Sequence, residues 1–214
     1  MIQIQQFTFN PFAENTYLLF DDTKECVIID PSCYEAHEQQ EVSDFISKNN
    51  LKVVRLLNTH CHIDHVFGNE WVKNTYKVGL AIHKEDEQTL MAVPTYAPNY
   101  GFNTFEASPA YEFLEEGDQV IFGGSVIDIV FVPGHSTGHI GFYNLAQKFC
   151  IGGDVLFDGS IGRTDLPGGN HEQLIDSIRS KFFQWPDDVV VHCGHGGTTT
   201  IGKEKRTNPF YSIV

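Results

Sequence analysis

The sequence predicts an α+β fold: two mixed β-sheets packed face to face, with helices outside. Three observations carry that expectation. Strand-like and helix-like segments run as strands, then α-β-α-β-α, then four strands, a helix and a last strand, so each half of the chain supplies both kinds of element. No linker, repeat or low-complexity stretch divides the halves, which points to a single domain over 1–214. The 214 residues are 41% hydrophobic, enough for a sizeable core and too apolar for a disordered chain.

The elements follow in order. Ile2 to Phe9 alternates as a strand does and is broken by Asn10-Pro11. Thr16 to Phe20 is a second strand, turned by Asp21-Asp22, and Cys26 to Ile29 a third, stopped by Asp30-Pro31, giving a β-meander. Val42, Phe45 and Ile46 stand at helical spacing within Ala36 to Asn50, with Asn49-Asn50 as the stop. Leu51 to Leu57 is a strongly apolar strand ending at Asn58-Thr59. A short helix over Gly68 to Tyr76, a strand over Val78 to Ile82 and a helix over Lys84 to Met91 come next. Residues 93–110, with Pro94, Pro98 and Pro109 among Tyr96, Tyr100, Phe102 and Phe105, read as a loop whose aromatic face packs over the core. Strands return at Gln119 to Phe122, Val126 to Val132, Gly141 to Asn144 and Phe149 to Ile151. Asn170 caps a helix running to about Phe183, with Gln173 in capping-box position, and Val189 to Val191 is the last buried strand.

Charge and cysteine usage narrow the function classes. The 28 Asp and Glu against 14 Lys and Arg leave a net charge of -14, the wrong sign for tracking nucleic-acid phosphates. No run approaches the length of a membrane helix, and the N-terminus has no signal-peptide pattern. The five cysteines show no CxxC spacing, which suits free thiols in a reducing, cytoplasmic setting and a small-molecule substrate.

Seven of the ten histidines gather in three segments where predicted strands end. Thr59-His60-Cys61-His62-Ile63-Asp64-His65 follows the strand Leu51 to Leu57 and places four candidate ligands within six residues; unless a cation organises them, such groups repel on protonation and leave polar atoms unused. Val132-Pro133-Gly134-His135-Ser136-Thr137-Gly138-His139 offers one ligand and one orienting group, with His135 favoured as first off its strand and His139 in support. Asp154 follows Ile151-Gly152-Gly153, and either His192 or His195, the latter favoured by its glycine flanks, follows the last strand. Counting donors gives His60, His62 and His135 for one ion, Asp64, His65 and His195 for a second, and Asp154 between them. Nitrogen and oxygen donors without Cys suit Zn, Fe or Mn, and a bridging carboxylate suits a two-metal hydrolase. Arg163, in Gly162-Arg163-Thr164-Asp165, reads either as an anion-binding group or as half of a structural salt bridge.

The set HxHxDH at 60–65, His135, Asp154 and His195 resembles the metallo-β-lactamase-fold hydrolases. Glu14-Asn15-Thr16-Tyr17, Ile29-Asp30-Pro31, Gly162-Arg163-Thr164-Asp165 and Thr200-Ile201-Gly202-Lys203-Glu204 are similar to the glyoxalase II-like branch. That resemblance implies a four-layer αββα sandwich with two metal ions at one edge, and hydrolysis of a 2-hydroxyacyl thioester by a hydroxide held between the ions. Asp64 and Asp154 would be the catalytic carboxylates and Arg163 a substrate contact. The resemblance also marks departures. The commonest β-lactamase subclass has Cys where this chain has Asp154, and flavodiiron proteins have Glu at the position of His62. Glutathione-specific enzymes have His at Cys61, Lys at Arg163, Tyr at Asp165, Tyr at Gly197 and a C-terminal helical extension not seen here, so the resemblance does not extend to glutathione recognition. Persulfide dioxygenases share the Gly-Arg-Thr-Asp run and use one iron at the positions of His60, His135 and Asp154, which makes them the alternative reading. Lactone and phosphodiester hydrolysis use the same centre.

Overall fold

The fold is described from a computed structural model of the chain, covering residues 1–211. Its backbone contacts form two compact units: Met1–Leu114 with Ile121–Val126, and Glu115–Val120 with the chain from Ile127 onward.

The first unit holds β1 (Gln3–Phe9), β2 (Glu14–Phe20), β3 (Glu25–Ile29), α1 (Ala36–Lys48), β4 (Lys52–Leu57), α2 (Ile63–Val66), α3 (Asn69–Tyr76), β5 (Leu80–Ile82), α4 (Glu87–Tyr96) and β6 (Glu112–Phe113). Its sheet runs in the order β1-β2-β3-β4-β5-β6. The β1-β2-β3 meander is antiparallel, and β3 to β6 are parallel. Parallel neighbours finish at the same edge: Ile29 pairs with Leu57, so Asp30 and Asn58 leave the sheet side by side. That edge, outside the carboxyl ends of parallel strands, is where α/β sheets place ligand sites. The core beneath includes Leu18, Ile28, Val42, Leu56, Leu80 and Leu90.

The second unit holds the start of β7 (Gln119–Phe122) and most of β8 (Ser125–Phe131), Ile121–Val126 belonging to the first unit, then β9 (Ile140–Asn144), β10 (Phe149–Gly153), β11 (Leu156–Phe157), β12 (Ser160–Ile161), α5 (His171–Ser180), β13 (Val190–Cys193), β14 (Thr199–Thr200) and α6 (Ile201–Thr207). Its sheet runs β14-β13-β10-β9-β8-β7, with β11-β12 a separate hairpin. Here β10 and β13 are the parallel pair, Gly153 opposite Cys193, so Asp154 and Gly194 leave together. Antiparallel β8 and β9 pair Phe131 with Ile140, which brings the start and end of the 132–139 loop to one edge.

Both sheets are mixed and both units carry helices, as the sequence predicts. The differences have physical causes. The helix expected over 84–91 starts as a 3₁₀ turn at Lys84–Asp86 and continues as α4 to Tyr96, into the stretch read as a loop. Buried Leu90, Val93 and Ala97 at helical spacing outweigh the cost of Pro94 inside the helix. The aromatic face of this stretch does pack over the core: Phe102 is buried, with Tyr96 and Phe105 against it. Asn170 accepts the Gln173 N–H at 3.1 Å, as a cap should, but α5 ends at Ser180 and a 3₁₀ turn follows. Two-residue strands such as β6, β11, β12 and β14 are too short to show periodicity in sequence. No helix among the described residues is long and apolar enough to cross a membrane. All five cysteines are free and buried.

Candidate metal centre

In the first unit, β4 delivers His60 and His62 on the loop after it, and the single turn α2 carries Asp64 and His65. His60 and His65 are buried, with ring centroids 4.0 Å apart; those of His60 and His62 are 4.7 Å apart. Such crowding of imidazoles is costly unless their orientations are fixed. Asp30 fixes them. Its Oδ1 accepts the Thr59 N–H at 2.7 Å and the Asn58 amide at 3.2 Å, and its Oδ2 accepts the Thr59 hydroxyl at 2.6 Å. The same Oδ2 lies 3.1 Å from His65 Nδ1, and Glu14 Oε1 lies 3.2 Å from that nitrogen. Burial pushes the Glu14 carboxyl well above the usual carboxylate range, against a smaller downward pull from His65. With Nδ1 held by carboxylates, His65 turns Nε2 toward Asp64, whose Oδ2 is 4.0 Å away. A carboxylate on one ring nitrogen fixes the tautomer that leaves the other for a metal. Asn58 also donates to the His65 carbonyl at 2.9 Å and accepts from Asn69 at 2.8 Å. Buried Asp86 accepts the Cys61 N–H. Burial, reinforced by Asp86, pushes the Cys61 thiol up, so it stays protonated and makes a poor ligand.

In the second unit, His135, Asp154 and His195 come from three separate strand ends and converge. Asp154 Oδ2 lies 3.5 Å from His135 Nε2 and 3.5 Å from His195 Nε2. Two ligands of one tetrahedral ion at bond lengths of about 2.1 Å stand about 3.4 Å apart, so one carboxylate oxygen is placed to share an ion with either imidazole. His135 donates Nδ1–H to the Arg163 carbonyl at 2.7 Å, which leaves Nε2 for a metal. Buried His139 accepts the Asp154 backbone N–H on Nε2 at 3.0 Å and thus supports Asp154. Two glycines permit this packing. A Cβ on Gly134, whose φ is +133°, would sit 2.3 Å from the Leu174 nitrogen; a Cβ on Gly162 would sit 1.9 Å from the Asp154 carbonyl oxygen. The Arg163 guanidinium makes a bidentate pair with Asp165, 2.7 Å on both arms, and both side chains are exposed. Hydrogen bonds from Arg163 lower the Asp165 carboxyl to about 2.

The donors of each unit therefore suit divalent metal ions: His65 and His135 each have one nitrogen committed and a carboxylate beside the other. The structure supplies His139 as an orienting group and the Arg163–Asp165 salt bridge, both weighed from sequence. Asp30, Glu14 and Asp86 carry no role in the sequence reading. The signal for Asp30 was present: an acidic residue directly after the wholly apolar Val27-Ile28-Ile29 must be buried beside something that needs it.

Known proteins share much of this sequence and its fold. The family model described as the Metallo-beta-lactamase superfamily matches residues 9–195. Hydroxyacylglutathione hydrolase GloC of Haemophilus influenzae is 39% identical over 201 residues, covering 93% of each chain. The crystal structure of BLEG-1, a B3 metallo-β-lactamase, matches with a TM-score of 0.89 at 32% identity, covering 98% of this chain and 100% of its own. TTHA1623, solved in a di-iron-bound form, matches with a TM-score of 0.84 at 32% identity, covering 96% of this chain and 99% of its own.

Proposed function

The chain belongs to the metallo-β-lactamase superfamily of metallo-hydrolases, and from that premise we propose that it is a glyoxalase II-like thioesterase working with two divalent metal ions, Zn in the first place, with Fe or Mn as other occupants. The observation that carries this reading is the paired fixing of donors: Asp30 on His65 and the Arg163 carbonyl on His135 each commit Nδ1 and leave Nε2. The proposed ligands are His60, His62 and His135 for one ion, Asp64, His65 and His195 for the other, and Asp154 for both. When bound, the ions supply Lewis acidity at a carbonyl and bring the ionisation of water to about pH 7.

The chain's own residues do the rest. In this reading Asp64 and Asp154 are the carboxylates that orient an attacking water. Buried Asp30 and Glu14 hold the His65 side chain, and buried His139 holds the Asp154 backbone, before substrate arrives, so little reorganisation is left for the reaction. A thiol of pKa about 8.5 leaves readily as thiolate, so no dedicated general acid is required. Arg163 takes a substrate carboxylate or phosphate in exchange for Asp165. An exposed ion pair is screened by water and contributes little, which makes that exchange easy.

The test is metal content and a substrate panel on protein isolated without chelators. Two ions per chain and chelator-sensitive cleavage of an acyl thioester are expected. His60→Ala with Asp154→Ala should lose metal and activity while the far-ultraviolet circular dichroism persists. Hydrolysis that survives chelation would sink the reading. So would a β-lactam, lactone or phosphodiester cleaved with higher kcat/KM than any thioester, or a single iron with oxygen consumption and sulfite formation from a persulfide.

A further inference from the structure

The turn between β1 and β2 is built around an aromatic side chain turned outward. Asn10 and Ala13 both have φ of +54°, a left-handed conformation that non-glycine residues seldom adopt and that is retained chiefly where surrounding contacts enforce it. Here the contacts come from Asn10. Its N–H donates to Glu38 Oε1 at 2.7 Å. Its side-chain amide donates to the Ser32 carbonyl at 3.1 Å and to the Asp64 carbonyl at 3.3 Å. Its Oδ1 accepts the Phe12 N–H at 2.8 Å. The turn is thus tied to the backbone of a proposed metal ligand, and what it presents is Phe12, 37% exposed.

Phe12 extends an aromatic surface that begins directly after α2. Its ring centroid is 6.4 Å from Phe67, 6.0 Å from Phe102 and 6.1 Å from Tyr100, and the Phe67 and Phe102 rings lie 4.4 Å apart, tilted at 47°. Tyr34 closes the far side, 4.9 Å from Phe102. Phe67 and Phe102 are buried, while Tyr100 is 56% exposed, so the cluster has a packed floor and an open rim. The four segments that build it, 10–16, 30–40, 60–72 and 93–107, contain no Lys or Arg. On the shelf itself a carboxylate- or phosphate-bearing group finds no basic side chain, whereas an uncharged apolar group finds aromatic faces.

We propose that this shelf, formed by Phe12, Phe67, Tyr100 and Phe102, binds an uncharged apolar group of the substrate, of aryl or medium-chain acyl size, and makes the enzyme select for it over a short hydroxyacyl group. The proposal rests on the thioesterase reading for its substrate, but binding to the shelf can be measured without turnover. The probes are the 2-phenylethyl and 2-hydroxypropyl thioethers of N-acetylcysteamine, which share one uncharged thiol half and cannot be hydrolysed. Each is titrated into the metal-loaded protein by calorimetry. The phenylethyl compound is expected to bind at least about tenfold tighter, the order set by burying a few carbons in an apolar site. Phe12→Ala and Tyr100→Ala, on separate segments, should each bring the two affinities within about threefold of one another. Equal affinities in the unaltered protein, or a ratio unmoved by both substitutions, would overturn the proposal. If the ratio and its loss are seen but no thioester is cleaved, the hydrolase reading falls and the shelf stands. If thioesters are cleaved with no such ratio, the shelf falls and the hydrolase reading stands.

Discussion

Asp30 holds the His60–His65 segment by four contacts to one carboxylate, with Glu14 behind the same imidazole. The His135, Asp154 and His195 group is held by backbone: the Arg163 carbonyl on His135, the Asp154 N–H on His139, and two glycines that let main chains approach. The first unit thus spends buried charge to fix its donors, and the second spends conformational freedom. Buried carboxylates are strong orienting groups but fail badly when removed, because their donors are left unsatisfied. A backbone scaffold tolerates the loss of one side chain better but has no room for an added carbon.

That contrast sets an order of expected effects. Asp30→Ala should do the most damage, about 3–4 kcal/mol of stability, by stranding the donors of Asn58 and Thr59 and placing alanine at a φ of +49°. Asp30→Asn, which tolerates that φ, separates charge from geometry. Urea unfolding followed at Trp71, in the first unit, measures both; a loss under about 1 kcal/mol for alanine would break the contrast. Gly162→Ala should follow at about 2–3 kcal/mol, read at Trp185 in the second unit, since its Cβ meets backbone rather than a side chain that can turn aside. His139→Ala should cost about 1–2 kcal/mol and lower metal retention on dialysis about tenfold, measured by elemental analysis; unchanged retention would mean that Asp154 needs no support from it.

The remaining effects are in pH dependence and fall in different windows of the acid limb for the two units. In the second unit, burial lowers the His192 imidazole to about 4 from 6.5. The unfolded chain takes up that proton first, so the contribution is full above pH 6.5 and is lost as pH falls toward 4. In the first unit, burial pushes the Asp21 carboxyl up, but hydrogen bonds from Thr23, Ser125 and Gly124 outweigh it and leave it at about 2, below 3.8. Its contribution is present above pH 3.8 and lost as pH falls through about 2. His192→Leu should therefore flatten the stability curve between pH 6.5 and 4, and Asp21→Asn only below pH 4. Melting temperatures at pH 7, 5 and 3 distinguish the two; a His192→Leu curve parallel to the parent's from pH 7 to 5 would count against the burial of that imidazole.

Most of the fold was legible where a segment is long enough to show its period. The β1-β2-β3 meander, α1 and β4 fall within a residue or two of expectation. Where two signals conflicted, packing decided: Leu90, Val93 and Ala97 drew Pro94 into a helix because their burial outweighs one proline. The candidate ligands were legible because six consecutive residues of one segment carry four donors, and because Asp154 and His195 each stand directly after a buried strand and glycines.

Sequence by itself therefore determined the element types, the chemistry of the donors and the kind of ion they suit, since those depend on residue type and local period. Only the tertiary structure decided which nitrogen of His65 and of His135 is committed. It set Asp30 and Glu14 against His65 across distances of 35 and 51 positions in the chain, and the Arg163 carbonyl against His135. It also determined that Phe12 stands at the rim of an aromatic surface beside Asp64. The physical reason is that parallel strands end at one edge of a sheet, so residues remote in the chain become neighbours there, and a buried carboxylate is tolerable only beside the donors this arrangement brings to it.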